Sequence, residues 1–242
     1  AAASDPRVWE AGRHIFTASE SDTHRVGLIA RHFKRNGWQK VAVLTAQDSI
    51  VSRSESAEFV DAFSNLGGEV SLQMTYGQSD PDFVVQLDAV QEKSVDAIFL
   101  AEYRSDIVLR FTRQLRQRQL QLPLATQVVA FSSSIILEGG KDVDGLLTST
   151  YFHPDASNAR IRDFAEQFGR LFGTLRPSHR EAYAYDSLKL IARGIESVGF
   201  NRGALTTYFR EIGDQRPAYP GVSGDFAPGR RIDKRTPYLV QI

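Results

Sequence analysis

The sequence predicts an α/β fold built on a parallel, doubly wound sheet. Two observations carry that expectation. From about residue 20 to 150, short β-branched or apolar runs alternate with stretches whose apolar residues recur every three or four positions. Successive runs are also separated by a helix-length segment, the spacing that a βαβ crossover requires. Strands joined in this way lie parallel and are covered by helices on both faces.

The elements follow in order. Ser21-Asp22 reads as a helix N-cap, with Val26, Ile29 and Phe33 on one face and Asn36-Gly37 as the left-handed stop. Lys40 to Thr45 is a buried strand. Ala57, Val60, Phe63 and Leu66 form the next helical stripe, closed by Gly67-Gly68, and Glu69 to Tyr76 alternates as a strand. Ser79-Asp80-Pro81 opens a helix with Pro81 near its first position and Phe83, Leu87 and Val90 inside. Asp96 to Ala101 is a strand, and Val108, Phe111 and Leu115 mark the helix after it. Leu122 to Ala130 and Val143 to Phe152 read as further strands. Beyond residue 157 the pattern changes. Ile161, Phe164, Phe168 and Leu171 make one long helical stripe; Ala184, Leu188, Ile191, Ile195 and Val198 make a second; a short helix follows over 203–212. Pro217 to Pro228 is rich in Pro and Gly, and Tyr238 to Ile242 is strand-like. The late helices need a sheet to cover, and the chain offers few strands to build one.

Composition excludes several functions. The 242 residues are 42% apolar, enough for one large domain or two small ones. Lys and Arg number 29 against 29 Asp and Glu, without the basic excess of a general nucleic-acid binder. There is no cysteine, which removes disulfides, thiol nucleophiles and cysteine-ligated metals. No apolar run reaches the roughly 18 residues that span a membrane. The start, Ala1 to Pro6, lacks the basic and apolar stretches of a secretion signal, so any such signal is expected upstream. The five histidines (14, 24, 32, 153 and 179) are not at metal-ligand spacing, and no GxSxG, GxxxxGK[ST] or GxGxxG motif occurs. The carboxylate pairs Asp80/Asp82 and Asp142/Asp144 sit at element starts, where capping explains them. Arg110, Arg113, Arg116 and Arg118 read as a solvated helix face. No catalytic residue, metal or cofactor is expected, which favours a binding protein over an enzyme.

In open parallel sheets a ligand lies beyond the carboxyl ends of the strands. The loops there carry Asp48, Ser49, Ser52, Ser54, Glu102, Tyr103, Asp106, Gln127 and Ser132 to Ser134. These groups suit a small polar or zwitterionic ligand. Tyr103 is the strongest candidate, because helix capping does not explain an aromatic at a strand end; Asp106 reads as a cap.

Several stretches then point further. They are Ala2 to Pro6 leading to His14-Ile15-Phe16-Thr17; Gly77-Gln78-Ser79-Asp80-Pro81-Asp82-Phe83 with Gln86-Leu87; Val95-Asp96-Ala97-Ile98-Phe99; Ala182-Tyr183-Ala184-Tyr185-Asp186-Ser187-Leu188 through Ile195-Glu196; and Gly221 to Phe226. In this order, over nearly the whole chain, they resemble the periplasmic substrate-binding proteins of branched-chain amino-acid ABC transporters, the Leu/Ile/Val-binding type with the type I periplasmic-binding fold. The resemblance implies that family members carry about 120 further residues at the amino end, the size of a small domain, which build the first lobe's sheet. It divides this chain into a lead-in segment (1–13), a complete second lobe (14–150), helices of a partial first lobe (151–218), and a crossover with C-terminal strands (219–242).

The implied function is that of a periplasmic or extracellular solute-binding protein of an ABC importer, with a membrane permease as partner. It would hold a small polar ligand, an amino acid or related carboxylate or amide, between two lobes by hinge closure, without catalysis. The alternative is the same fold used as a ligand-sensing or regulatory domain of a receptor or envelope lipoprotein. Tyr103 falls on the family's tyrosine after the strand ending in Ala101. The family's other aromatic falls near Ser52, where Ser52 to Ala57 replaces it and its glycines, and its acidic position falls near Gln127. Glu102 is the candidate to replace that acid as partner of an ammonium group. The expected ligand-binding set is Tyr103, Glu102, Ser52, Asp48 and Gln127.

Overall fold

A computed structural model describes residues 12–18, 23–173, 176–228 and 235–242. The chain divides into two compact units. The larger comprises Thr23–Thr150 and Leu239–Ile242; the smaller comprises Tyr151–Tyr238 and the described part of the first 22 residues. Residues 14–18, read from the sequence as the start of the second lobe, therefore pack in the smaller unit, and the last four residues return to the larger one.

The larger unit runs α1 (Thr23–Arg35), β1 (Lys40–Ala46), α2 (Ile50–Asn65), β2 (Glu69–Tyr76), α3 (Val84–Lys93), β3 (Ala97–Ala101), α4 (Ser105–Gln117), β4 (Leu124–Thr126), α5 (Ser133–Gly139) and β5 (Leu147–Thr150). Its sheet has the order β2-β1-β3-β4-β5-β8, where β8 is Tyr238–Gln241 at the chain end. β1 to β5 pair in parallel. The strand period of two sorts the core into two layers. Val41, Val43, Ala97 and Phe99 pack with Val26, Ile29, Phe33, Phe59 and Phe63 of α1 and α2. Ala42, Leu44, Ile98 and Leu100 pack on the opposite face with Phe83, Leu87, Phe111 and Leu115 from the α3 and α4 side. All five residues of β3 are buried. Each of these large side chains contributes about 1.5–3 kcal/mol by leaving water.

Three local expectations change. In α2 the buried face is Ser52, Glu55, Ser56, Phe59 and Phe63, whereas Ala57 and Leu66 are exposed. The helix starts at Ile50, so its stripe is phased on Phe59, which stacks on Phe99 with ring centroids 4.2 Å apart. The helix after β2 begins at Val84 instead of at Pro81. Ser79 and Asp80 lie in a turn that Asp80 closes by accepting the Gly77 N–H at 2.8 Å. β4 and β5 are shorter than the apolar runs that contain them, because Val128–Ala130 turns into a 3-10 helix and Val143 ends another. The expected cap at Ser21-Asp22 lies outside the described residues. Gly68, between α2 and β2, is required sterically: a Cβ there would lie 2.2 Å from the Phe63 ring.

The smaller unit contains α6 (Ala159–Phe172), α7 (His179–Val198), α8 (Arg202–Glu211) and an antiparallel hairpin, β6 (Tyr219–Gly221) with β7 (Gly224–Phe226). Ser178 and Glu181 form a capping box at the start of α7. Asp186, on the buried side of α7, accepts the Val222 and Ser223 N–H groups and the Ser223 hydroxyl, at 2.8, 2.9 and 2.6 Å, and so fixes the hairpin turn. Burial raises its carboxyl above the ordinary range, while these bonds and Arg235 act the other way. Arg235 in turn donates to Ser223 Oγ and Ala18 O, among the rings of Tyr151, Tyr183 and Phe226. The stripes expected to be buried here are in part exposed: Leu188 is 69% and Leu171 77% accessible. In α7 the packed side is Ala182, Tyr183, Asp186, Leu190 and Gly194 instead.

Candidate functional site

The chain runs from β1 outward to β2, then returns to β3 on the other side of β1. The connections after β1 and β3 therefore diverge. Connections that diverge in this way leave a crevice outside the carboxyl ends of the two strands, the place where open parallel sheets bind ligands. Its walls are the Gln47–Ser49 turn with the first turn of α2, and Glu102–Arg104 leading into α4. Gln127 follows β4, the next strand along.

Ser49 caps α2: its side chain accepts the Ser52 N–H at 3.0 Å. Ser52 and Ser54 thus stand in the helix, not in the preceding loop. Ser52 is fully buried and its hydroxyl has no partner among the described residues; the same holds for Nε2 of Gln127, which is 4% exposed. Tyr103 is 44% exposed, beside the crevice. Asp48 is exposed, and its Oδ2 accepts the Gln78 N–H at 2.8 Å. Gln78 follows β2, so Asp48 is turned to the β2 side of β1.

Glu102 is fully buried and accepts four hydrogen bonds. Tyr76 donates its hydroxyl to Oε2; Gln78 Nε2 and the N–H groups of Tyr103 and Arg104 donate to Oε1, each at 2.9 Å. Burial, then the Glu102 charge and hydrogen bond, push the Tyr76 hydroxyl far above its ordinary pKa, which keeps it a donor. Glu102 thus holds the backbone of Tyr103 and Arg104 just before α4, whose N-terminus carries no side-chain cap, so the cap expected of Asp106 is not formed. Asp106 itself pairs with Arg104 at 2.8 Å, a bond that holds its carboxyl below the ordinary range. Ser132 caps α5 by accepting the Ile135 N–H.

Two groups that the sequence reading did not single out lie near this end of the sheet. Arg25 of α1 pairs with Glu55 of α2 at 2.8 Å, both side chains buried, and donates to Ser149 O at the end of β5. Ser149 Oγ donates back to Arg25 O at 3.1 Å. A signal was present. Arg25 precedes Ile29 by four positions and Glu55 precedes Phe59 by four, so each charge stands on the apolar stripe of its own helix.

A cavity of about 1230 Å³ lies in the smaller unit beside the β6-β7 hairpin, and is lined by residues such as Tyr151, Arg160, Asp225 and Arg235. In it Arg160 pairs with Asp225 at 2.9 Å, and Arg235 donates to Ser223 Oγ and Ala18 O. The switch point is taken as the candidate site because open parallel sheets bind ligands there.

A parallel α/β unit with a switch point between β1 and β3, joined by three chain crossings to a second unit, is the architecture of the type I periplasmic-binding fold. The chain belongs to the periplasmic binding protein family, whose model matches residues 1–239. Among solved structures it is similar to the leucine-binding protein LivK of Thermotoga maritima, with 25% identity and a TM-score of 0.83 over 93% of this chain and 64% of that one. It therefore spans less than two thirds of that relative. The branched-chain amino-acid binding protein LivJ of Streptococcus pneumoniae, solved with isoleucine, is 17% identical with a TM-score of 0.83, over 97% of this chain and 66% of that one. A solute-binding protein of Rhodopseudomonas palustris, solved with benzoate, is 17% identical with a TM-score of 0.76, over 91% and 60%. No curated protein sequence matches the chain.

Proposed function

We propose that this chain is the ligand-capturing component of an ABC importer, acting in the periplasm or outside the cell without catalysis. It takes a small polar ligand, an amino acid or a related carboxylate or amide, at the carboxyl edge of the larger unit's sheet, closes on it by a hinge, and delivers it to a membrane permease. The observation that carries this reading is the switch-point crevice with Tyr103 exposed on its wall and held there by Glu102. Family membership supports it. So do the relatives solved with isoleucine and with benzoate. Tyr103, Ser52 and Gln127 would face the ligand, Asp48 would flank it, and Glu102 would position Tyr103.

A thermal-shift screen of amino acids and small carboxylates, followed by calorimetric titration of each hit, tests the reading. Tyr103→Ala should weaken the best ligand by more than about 1 kcal/mol, the loss typical of a buried aromatic contact. Unchanged affinity in a folded variant would remove Tyr103 from the site.

A further inference from the structure

The hydrogen bonds that hold Tyr103 begin on the far side of β1. β2 is an edge strand, and β1 stands between it and β3. Two residues from the end of β2 nevertheless reach Glu102, which follows β3. Tyr76 donates its hydroxyl to Oε2 and Gln78 donates from Nε2 to Oε1, each at 2.9 Å. Ala46 pairs with Tyr76 on one side of β1, and Thr45 pairs with Ala101 on the other. Ala46 therefore lies between Tyr76 and Glu102, and its single methyl group leaves the phenol a path over the end of β1.

Both donors are themselves fixed. Tyr76 is buried, and its ring meets that of Phe83 edge to face with centroids 5.1 Å apart. Gln78 belongs to the turn that Asp80 closes on the Gly77 N–H, and its own N–H goes to Asp48 Oδ2. A Cβ at position 77 would lie 2.9 Å from Asp80 Oδ1, so this tight turn needs glycine. Gln78 thus touches both loops of the switch point, Asp48 after β1 and Glu102 after β3. Glu102 passes the constraint on, because its Oε1 also accepts the Tyr103 and Arg104 N–H groups. No side chain caps α4 there, so Glu102 is the side chain that ties this backbone down. A buried network of this kind is rigid when every member is satisfied and loses that rigidity when one donor is removed.

We propose that Tyr76 and Gln78 are positioning residues of the ligand site: from the edge strand they orient Glu102 and so fix the backbone that presents Tyr103. The inference rests on the reading of Tyr103 as a ligand contact. Tyr76→Phe removes one hydroxyl, and Gln78→Met removes one amide at similar length. Val90→Ala, a buried truncation in α3 with no bond to Glu102, controls for lost stability. The first measurement is residue-resolved amide hydrogen exchange by NMR on the full chain without ligand. Tyr76→Phe and Gln78→Met should each speed exchange at Tyr103 and Arg104 severalfold relative to β1, and Val90→Ala should not. The second is calorimetric titration with L-isoleucine, L-leucine and benzoate. A compound that binds wild type should bind both variants severalfold more weakly. That loss should vanish when Tyr103→Ala is already present, because residues that act through one group are not additive. Unchanged exchange at Tyr103 and Arg104 overturns the inference and leaves the site reading standing. So does unchanged affinity in both variants, or a loss that persists beside Tyr103→Ala. If Tyr103→Ala binds as wild type does, or none of the three compounds binds wild type, the reading of the site falls and the inference with it.

Discussion

Both oxygens of Glu102 are committed to the protein itself, and the sequence could not show it. A carboxylate next to Tyr103 at a strand end looks like a ligand group. Its four donors come from residues 76, 78, 103 and 104, two of them more than twenty positions away in sequence. The Arg25–Glu55 pair is a second case. Removing Arg25 alone leaves the Glu55 charge buried without its partner, so Arg25→Ala should destabilise the chain by about 3–5 kcal/mol. The double variant Arg25→Met, Glu55→Leu should lose far less, because apolar groups of similar size replace both charges. Urea unfolding of the three proteins measures the difference. Equal losses in the single and double variants would mean that packing, not charge, is the cause.

Among the elements, helix phase was legible wherever the stripe was strongly apolar. The faces of α1, α3 and α4 carry Val26, Ile29 and Phe33; Phe83, Leu87 and Val90; and Val108, Phe111 and Leu115, all buried as the periodicity required. It failed for α2, where small polar residues share the buried side with Phe59 and Phe63. The start of α7 offers a test by pH. Burial tends to raise the Glu181 carboxyl, but hydrogen bonds from the Ser178 side chain and backbone outweigh it and leave the pKa below its ordinary 4.5. A carboxyl lowered on folding stabilises above its unfolded pKa, and that contribution disappears as pH falls through its folded value. Glu181→Gln should therefore be less stable than wild type at pH 7, with the gap closing once the pH drops below the folded pKa. Thermal unfolding across pH 3–7 reads it, and a gap that does not change with pH would assign the capping to the Ser178 hydroxyl alone.

At the scale of the whole molecule, burial is uneven. All of β3 and most of β1 are enclosed between two helical layers, whereas α6 buries only Ile161 and Phe164, and α7 exposes Leu188 and Ile191. Amide hydrogen exchange should accordingly be slowest in β1 and β3 and faster by orders of magnitude in α6 and α7. Mass-spectrometric exchange by peptide measures this. Equal protection throughout would show that the chain opens as one unit. The exposed apolar positions of α6 and α7 answer to the sequence pattern, which marked Leu171, Leu188 and Ile191 for burial.

The alternation of strand and helix, the parallel sheet and the candidate loops follow from the sequence alone, because hydrophobic period and turn chemistry are local properties of a few neighbouring residues. Family membership was legible too, through motifs kept in order along the chain. Only the tertiary structure decided which carboxylates are free. It placed β2 and β3 on either side of β1, let Tyr76 and Gln78 reach Glu102, and tied Arg25 to Glu55. Whether a charge is available to a ligand depends on what surrounds it in space, and residues distant in sequence determine that.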